Sequence, residues 1–294
     1  MKLLRTLRIW ILATRPLTLV AAVVPVFVGC SLACSLDAFK FKPALICLSF
    51  ALLIQVGANL ANDYFDFVKG ADGPERIGPA RAVASGFVAP RTMLIVMTCV
   101  LISAFILGLT LLPYGGTLLL PVGLLSVTFA VGYTGGPLPL AYLGLGDIFV
   151  VAFFGLVAVC FTFYVQAGVI NTDAILLGLA VGLVINNLLV VNNYRDVEED
   201  YRSGKKTLTV RFGRAFSLWQ FVLQTLGAGV CTFWVSSLNK LFCFLPTTLL
   251  GIMCLFVIHN LSKATKRSDY STCLSISACM VPTFGLLLCI GVLA

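Results

Sequence analysis

The chain has 294 residues, of which 60% are hydrophobic and only 11% charged, and its mean hydropathy is +1.03. Soluble domains carry roughly 25% charged residues, so this composition excludes a water-solvated globule, a disordered chain, a coiled coil and a secreted disulfide scaffold. The net charge of +8 would suggest nucleic acid in a soluble protein; here it reads as Lys and Arg in cytoplasmic loops, with no nucleic-acid partner expected.

A spanning helix needs about 20 mostly apolar residues. Nine such stretches occur, at 17–35, 44–62, 92–112, 117–135, 146–166, 174–193, 217–236, 241–259 and 273–293. They predict an all-α polytopic membrane protein, a single domain over 1–294. Only Pro113, Tyr114, Gly115 and Gly116 separate the third and fourth stretches, which predicts a tight helical hairpin. Lys2, Arg5, Arg8 and Arg15 precede the first stretch as in a signal peptide, but its length and the eight further spans predict an uncleaved helix. With the N-terminus in the cytoplasm, seventeen of the twenty basic residues fall on the inner side and only Lys40, Lys42 and Lys240 on the outer side. That bias supports nine helices with the N-terminus inside. Two inner connections, 67–91 and 194–216, are long, polar and glycine-containing, which marks them as functional loops.

The eleven cysteines form no Cys-x-x-Cys and sit in apolar runs, where they act as small hydrophobes. His259 is the only histidine. A multi-histidine metal site or a histidine triad is therefore excluded within one chain. Any divalent metal would be held by oxygen, which favours Mg²⁺ over Zn²⁺.

Eight of the twelve carboxylates cluster in two places. Asp63, Asp66, Asp72 and Glu75 follow the second stretch; Asp196, Glu198, Glu199 and Asp200 follow the sixth. Gln55, Asn59, Asn62 and Asp66 fall on one helical face, with Asp63 at its border, and Asn192, Asp196 and Asp200 stack at intervals of four. Asn-x-x-x-Asp thus occurs twice, a weak internal repeat. An Asp at mid-membrane costs about 2.5–3.5 kcal/mol on insertion scales, and neighbouring like charges repel. Such clusters persist when a cation offsets them. Carboxylates and amides on two helix ends suit Mg²⁺ completed by the phosphates of a substrate. Asn62, Asp66, Asp196 and Asp200 are the expected metal ligands. The plainer reading, ordinary charges in a solvated loop, fits Glu75, Glu198 and Glu199 better. Lys69, Arg76 and Arg81 follow the first cluster, and Arg202, Lys205, Lys206 and Arg211 the second. Arg15 begins the first span on the same side. Each suits phosphate binding or simple positive-inside anchoring. Asp147, at the start of the fifth span, is open to three readings: orienting a substrate hydroxyl, acting as a base, or a first-turn helix acid.

These motifs resemble the UbiA family of intramembrane prenyltransferases, and within it the naphthoate-prenylating branch. The resemblance runs through Thr14-Arg15-Pro16, the stretch from Asn62 through Asp66 to Asp72, Arg76 to Arg81, Tyr133-Thr134-Gly135-Gly136-Pro137, Gly144 to Asp147, Asn192 to Asp196, and Gly204-Lys205-Lys206-Thr207. One departure is Gly70, where the broad family carries a further Asp; the next acid here is Asp72. The resemblance implies nine helices around a central cavity open sideways to lipid and capped by the loops 67–91 and 194–216. It implies transfer of a polyprenyl group from polyprenyl diphosphate to 1,4-dihydroxy-2-naphthoate with loss of CO₂ and diphosphate, at the inner face of a bacterial cell membrane. Asp63, Asp66, Asp147, Asp196 and Asp200 would be catalytic. Asn59, Asn62, Lys69, Asp72, Arg76, Arg81, Tyr133, Asn192, Arg202, Lys205 and Arg15 would bind substrate. The acceptors 4-hydroxybenzoate and homogentisate, and a cation-coupled transporter, are the rival readings.

Overall fold

Long apolar runs without β-branched alternation or internal turn signals can satisfy their backbone in a bilayer only as helices. The computed structural model describes residues 2–71, 78 and 80–294, and among these every regular element is a helix. In order they are α1 (Lys2–Ala13), α2 (Pro16–Ser35), α3 (Phe41–Val68), α4 (Pro90–Leu109), α5 (Leu112–Gly115), α6 (Leu119–Gly132), α7 (Leu140–Leu143) and α8 (Gly146–Val150). A π-helical stretch, Val151–Val157, joins α8 to α9 (Ala158–Ala167). Then come α10 (Thr172–Arg195), α11 (Val197–Arg202), α12 (Leu208–Phe233), α13 (Lys240–Lys263) and α14 (Arg267–Leu293).

Eight helical units among the described residues are long and apolar enough to span a membrane. The fourth expected span is shorter than the sequence predicts. Its helix, α6, has 14 residues, about 21 Å, because the one-turn α5 and the positive φ of Gly116 take up the apex of the hairpin. α3 runs past the apolar stretch 44–62 and carries Asp63 and Asp66 on its last turns, as their helical spacing implies. The second polar loop is largely helical: α11 lies within it, and α12 begins at Leu208 with a break at Gly213.

α10 is the axis of the fold. Most of its length is buried, and it packs on α2, α9, α12 and α14 around a core that includes Leu32, Phe163, Leu177, Phe221 and Phe284. α4 and α13 instead turn Ile95, Ile102 and Ile106, and Ile252, Leu255 and Phe256, outward. That is the pattern of helices facing lipid. The amphipathic α1 sets Ile9, Trp10 and Ala13 against a second cluster with Leu60, Met93 and Met97.

A close backbone-to-backbone contact joins the π-helical stretch to α10. A Cβ on Gly155 would stand 2.4 Å from the Gly178 carbonyl oxygen, and one on Gly182 would stand 2.7 Å from that of Val151. Gly178 and Gly182 form the small-x-x-x-small spacing by which membrane helices approach closely. Overpacking such a site costs about 1–3 kcal/mol or more. Gly182→Val is therefore expected to lower the melting temperature in detergent by several degrees. Gly251→Ala, whose Cβ meets open space, is expected to leave it unchanged.

Candidate active site

At the C-terminal ends of α3 and α10 lies a cavity of about 520 Å³. Arg15, Asn62, Asp63, Asp66, Arg81, Tyr133, Asp147, Asn192, Asp196, Asp200 and Lys205 all line it. A second, apolar cavity of about 310 Å³ adjoins it and runs past Phe105, Phe129, Phe149, Phe153 and Phe161 toward Leu111 and Leu119. Arg15, Thr18, Asn62, Tyr133 and Asn192 line both. A charged vestibule therefore opens onto an apolar chamber.

Asp66 is the hub of the vestibule and is only 2% exposed. Arg81 reaches it at 3.4 Å from the first loop, and Lys205 at 3.4 Å from the second. The same Lys205 ammonium stands 3.8 Å from Asp200. One cation thus bridges carboxylates carried by α3 and α11. Asp196 is held by its neighbour Arg195, which donates from Nε and Nη2, both at 2.6 Å. Helical hydrogen bonds from Asp196 N–H to Asn192 and from Asp200 N–H to Asp196 keep the expected stack across the α10–α11 joint. Asn62 accepts from the Thr134 hydroxyl at 2.8 Å, and Lys69 donates to the Thr134 carbonyl at 2.6 Å.

Burial pushes the Asp200 carboxyl up to about 7; Lys205 opposes the shift, while Asp196, Glu199 and Asp66 add to it. The Lys69 ammonium is held below its ordinary value, first by desolvation, with Asp66 opposing and Lys205 assisting.

Two expected site residues have other tasks. Asp63 accepts the Ala82 N–H at 2.9 Å and the Val83 N–H at 3.0 Å, one on each oxygen. Its buried carboxylate thus anchors the first loop to α3, and it also lines the vestibule. Asn59 donates to the Thr14 carbonyl at 2.8 Å and the Thr18 hydroxyl at 3.0 Å, tying α3 to the start of α2, and it lines the apolar cavity rather than the vestibule. Lys69 and Arg202 stand outside the lining of the vestibule. Asp72 and Arg76 lie outside the described residues.

Asp147 is buried in the first turn of α8. Its Oδ1 accepts from Asn186 of α10 at 3.0 Å and from Gln220 of α12 at 2.6 Å. The Tyr133 hydroxyl packs against the neighbouring Gly146. Of the partners that build the vestibule, the sequence did not single out Thr134, Tyr142, Arg195 and Gln220. Arg195 adjoins Asp196 in the chain and could have been found from charge adjacency. The others reach the site only through the tertiary fold.

The donor set fits a hard cation. It is all oxygen, and the Lys205 ammonium between Asp66 and Asp200 shows that a positive charge is accommodated there. Among the described residues no three Asp, Glu, His or Cys side chains converge as a complete cage. Mg²⁺ characteristically keeps few carboxylates and takes its remaining ligands from substrate phosphate and water.

Fold and site together define an integral membrane protein whose carboxylate vestibule opens onto an apolar chamber. Residues 22–279 match the UbiA prenyltransferase family, and the chain belongs to it. It is 39% identical over 230 residues to the 1,4-dihydroxy-2-naphthoate octaprenyltransferase of Escherichia coli (strain K12), covering 76% of this chain and 74% of that one. The fold is similar to that of a UbiA homologue from Aeropyrum pernix K1 solved in its apo form, with a TM-score of 0.71 at 13% identity over 92% of this chain and 97% of that one. It is also similar to a UbiA homologue from Archaeoglobus fulgidus bound to DMAPP and Mg²⁺, with a TM-score of 0.63 at 12% identity over 95% and 98%.

Removing a carboxylate that satisfies two buried N–H groups costs about 1–3 kcal/mol for each group left unpaired. Asp63→Ala is therefore expected to make the segment 80–89 sensitive to limited proteolysis while Asp63→Asn, retaining one acceptor, shows a smaller effect. Asp200 supplies a pH test. Its folded value is raised from 3.8 to about 7, so the folded protein binds more protons than the unfolded chain between those values. Stability without metal is then expected to fall as pH rises through that window and to level off above it. A metal held by Asp200 would need the ionised form, so its binding would run the other way. Apparent Mg²⁺ affinity is expected to weaken below pH 7, by at most about tenfold per pH unit, and Asp200→Asn to remove that dependence; calorimetric titration between pH 5.5 and 8 measures both.

Proposed function

We propose that this protein transfers a polyprenyl group from polyprenyl diphosphate to 1,4-dihydroxy-2-naphthoate, releasing diphosphate and CO₂. The observation that carries the reading is that Asp66, Asp196 and Asp200 line one vestibule with Arg81, Arg195 and Lys205, and that this vestibule opens onto an apolar chamber. A substrate with a diphosphate head and an isoprenoid tail matches both halves. The A. fulgidus homologue bound to DMAPP and Mg²⁺ and the naphthoate prenyltransferase of E. coli support the substrate class and the acceptor. The inner-side excess of Lys and Arg in the sequence supports a vestibule facing the cytoplasm of a bacterial cell.

In this reading Asn62, Asp66, Asp196 and Asp200 hold Mg²⁺, which when bound neutralises the departing diphosphate. Lys205, Arg81 and Lys69, with Arg76 and Arg202 from the same loops, take the phosphate oxygens. Asp66 and Asp200, the present carboxylate partners of Arg81 and Lys205, become free for the metal in the same exchange. Arg15 at the joint of the two cavities takes the acceptor carboxylate. The apolar chamber keeps water from the allylic carbon, and the rings of Tyr133, Phe129 and Phe149 face it. The acceptor ring carbon forms the new C–C bond, and diphosphate leaves with the C–O electron pair. The acceptor carboxylate leaves as CO₂, and its bonding electrons restore the aromatic ring. Since CO₂ rather than a proton departs from that carbon, Asp147 orients an acceptor hydroxyl and removes no C–H proton.

Asp66→Ala and Asp196→Ala are each expected to lower turnover by at least about a hundredfold while helicity and insertion persist. EDTA is expected to remove activity and Mg²⁺ to restore it. Incubating the purified protein with labelled prenyl diphosphate and a panel of naphthoate, hydroxybenzoate and homogentisate acceptors, then weighing the products, tests the acceptor. A prenylated, decarboxylated naphthoquinol is expected; product from another acceptor alone would overturn the assignment.

A further inference from the structure

Tyr142 lies on α7, between α6 and α8, and is half-buried. The Lys69 ammonium sits 4.2 Å from the centroid of its ring, and the Lys205 ammonium 5.3 Å from it. Its hydroxyl donates to Asp66 at 3.3 Å. Lys69 follows α3 and Lys205 follows α11, so this ring is where the cations of the two motif loops meet.

The ring is held from both sides. The Ala141 N–H donates to the Tyr133 carbonyl at 2.9 Å, and the Lys206 N–H to the Tyr142 carbonyl at 3.0 Å. Arg211 donates to the Leu143 carbonyl at 2.7 Å. Gly144 holds a positive φ, and a Cβ there would stand 2.3 Å from the Lys206 carbonyl oxygen, so the loop lies flush against the Gly204–Thr207 segment. Two ammonium groups repel each other, and the nearest charges able to collect them are Asp66 and Asp200. An aromatic face attracts cations without occupying a carboxylate oxygen. Lys205 is shared between this ring and the two acids, at 3.4 Å from Asp66 and 3.8 Å from Asp200.

We propose that Tyr142 is a positioning residue of the diphosphate site, whose ring gathers the Lys69 and Lys205 ammonium groups beside Asp66 so that one phosphate group can take both. The proposal rests on the diphosphate-handling reading above. Its test uses the full-length protein in detergent, with inorganic pyrophosphate plus Mg²⁺ as the binding probe. Tyr142→Leu and Tyr142→Met both remove the ring, so misfolding of one leaves the other to decide. Either is expected to weaken Mg²⁺–pyrophosphate binding by about tenfold, the scale of losing two cation–ring contacts. KM for prenyl diphosphate should rise to match, with a higher Mg²⁺ requirement and KM for the acceptor within about twofold. Tyr142→Phe and Tyr142→Trp keep a ring and are expected to lose no more than about threefold. Ring-less variants that bind pyrophosphate like the wild type would overturn the proposal. So would a Tyr142→Phe variant as impaired as Tyr142→Leu, which would assign the effect to the hydroxyl. A wild-type protein that binds no Mg²⁺–pyrophosphate would instead strike the functional reading itself.

Discussion

Carboxylates at the edge of a membrane are stable there only when something positive answers them. In this protein that answer comes from two loops at once. Asp66, on the end of α3, is met by Arg81 from one loop and Lys205 from the other, and Lys205 also faces Asp200. The constraint ties together parts of the chain separated by 139 positions. It explains why both loops fold back over the helix ends, and why the first is pinned by Asp63 to α3. It also sets the chemistry: charges that neutralise one another in the resting protein can be redistributed to a metal and an anion without a net charge entering the bilayer.

Much of this was legible in the sequence because hydropathy and charge act locally. The spans, the bias of Lys and Arg, and the two acidic helix ends are properties of contiguous residues, and the vestibule gathers Asn62, Asp66, Asn192, Asp196 and Asp200 as the helical spacing implies. The shortfalls have physical causes. α6 is apolar through 117–135, yet its N-terminal end is spent on a turn at Gly116, which hydropathy does not register. Asp63 shares the acidic motif, but its partners are backbone N–H groups nineteen and twenty positions away, invisible to residue type. Tyr142 stands in a stretch without Lys or Arg, and its importance arises from cations brought to it by other segments.

The two cavities divide the labour in the proposed reaction. The vestibule is built from loops and helix ends, with ion pairs that can exchange partners. The chamber is built from packed helices, with the Phe129, Phe149 and Phe153 rings in mutual contact. Tyr133 and Asn192 belong to both linings, so the bond that breaks would lie where polar and apolar walls meet.

The glycine contact between Val151–Val157 and α10 has a bearing on substrate choice. Asp147 sits just before that stretch and is bonded to Asn186 of α10, while Asn192 and Asp196 stand at the C-terminal end of the same helix. Backbone touching backbone leaves no side chain to compress or swing. In the proposed reaction the span from Asp147 to Asp196 would therefore act as a fixed gauge. A gauge of that kind measures the flat, rigid partner in the reaction and leaves the flexible one unmeasured, so tolerance toward tail length and strictness toward the ring would follow from a single pair of helices.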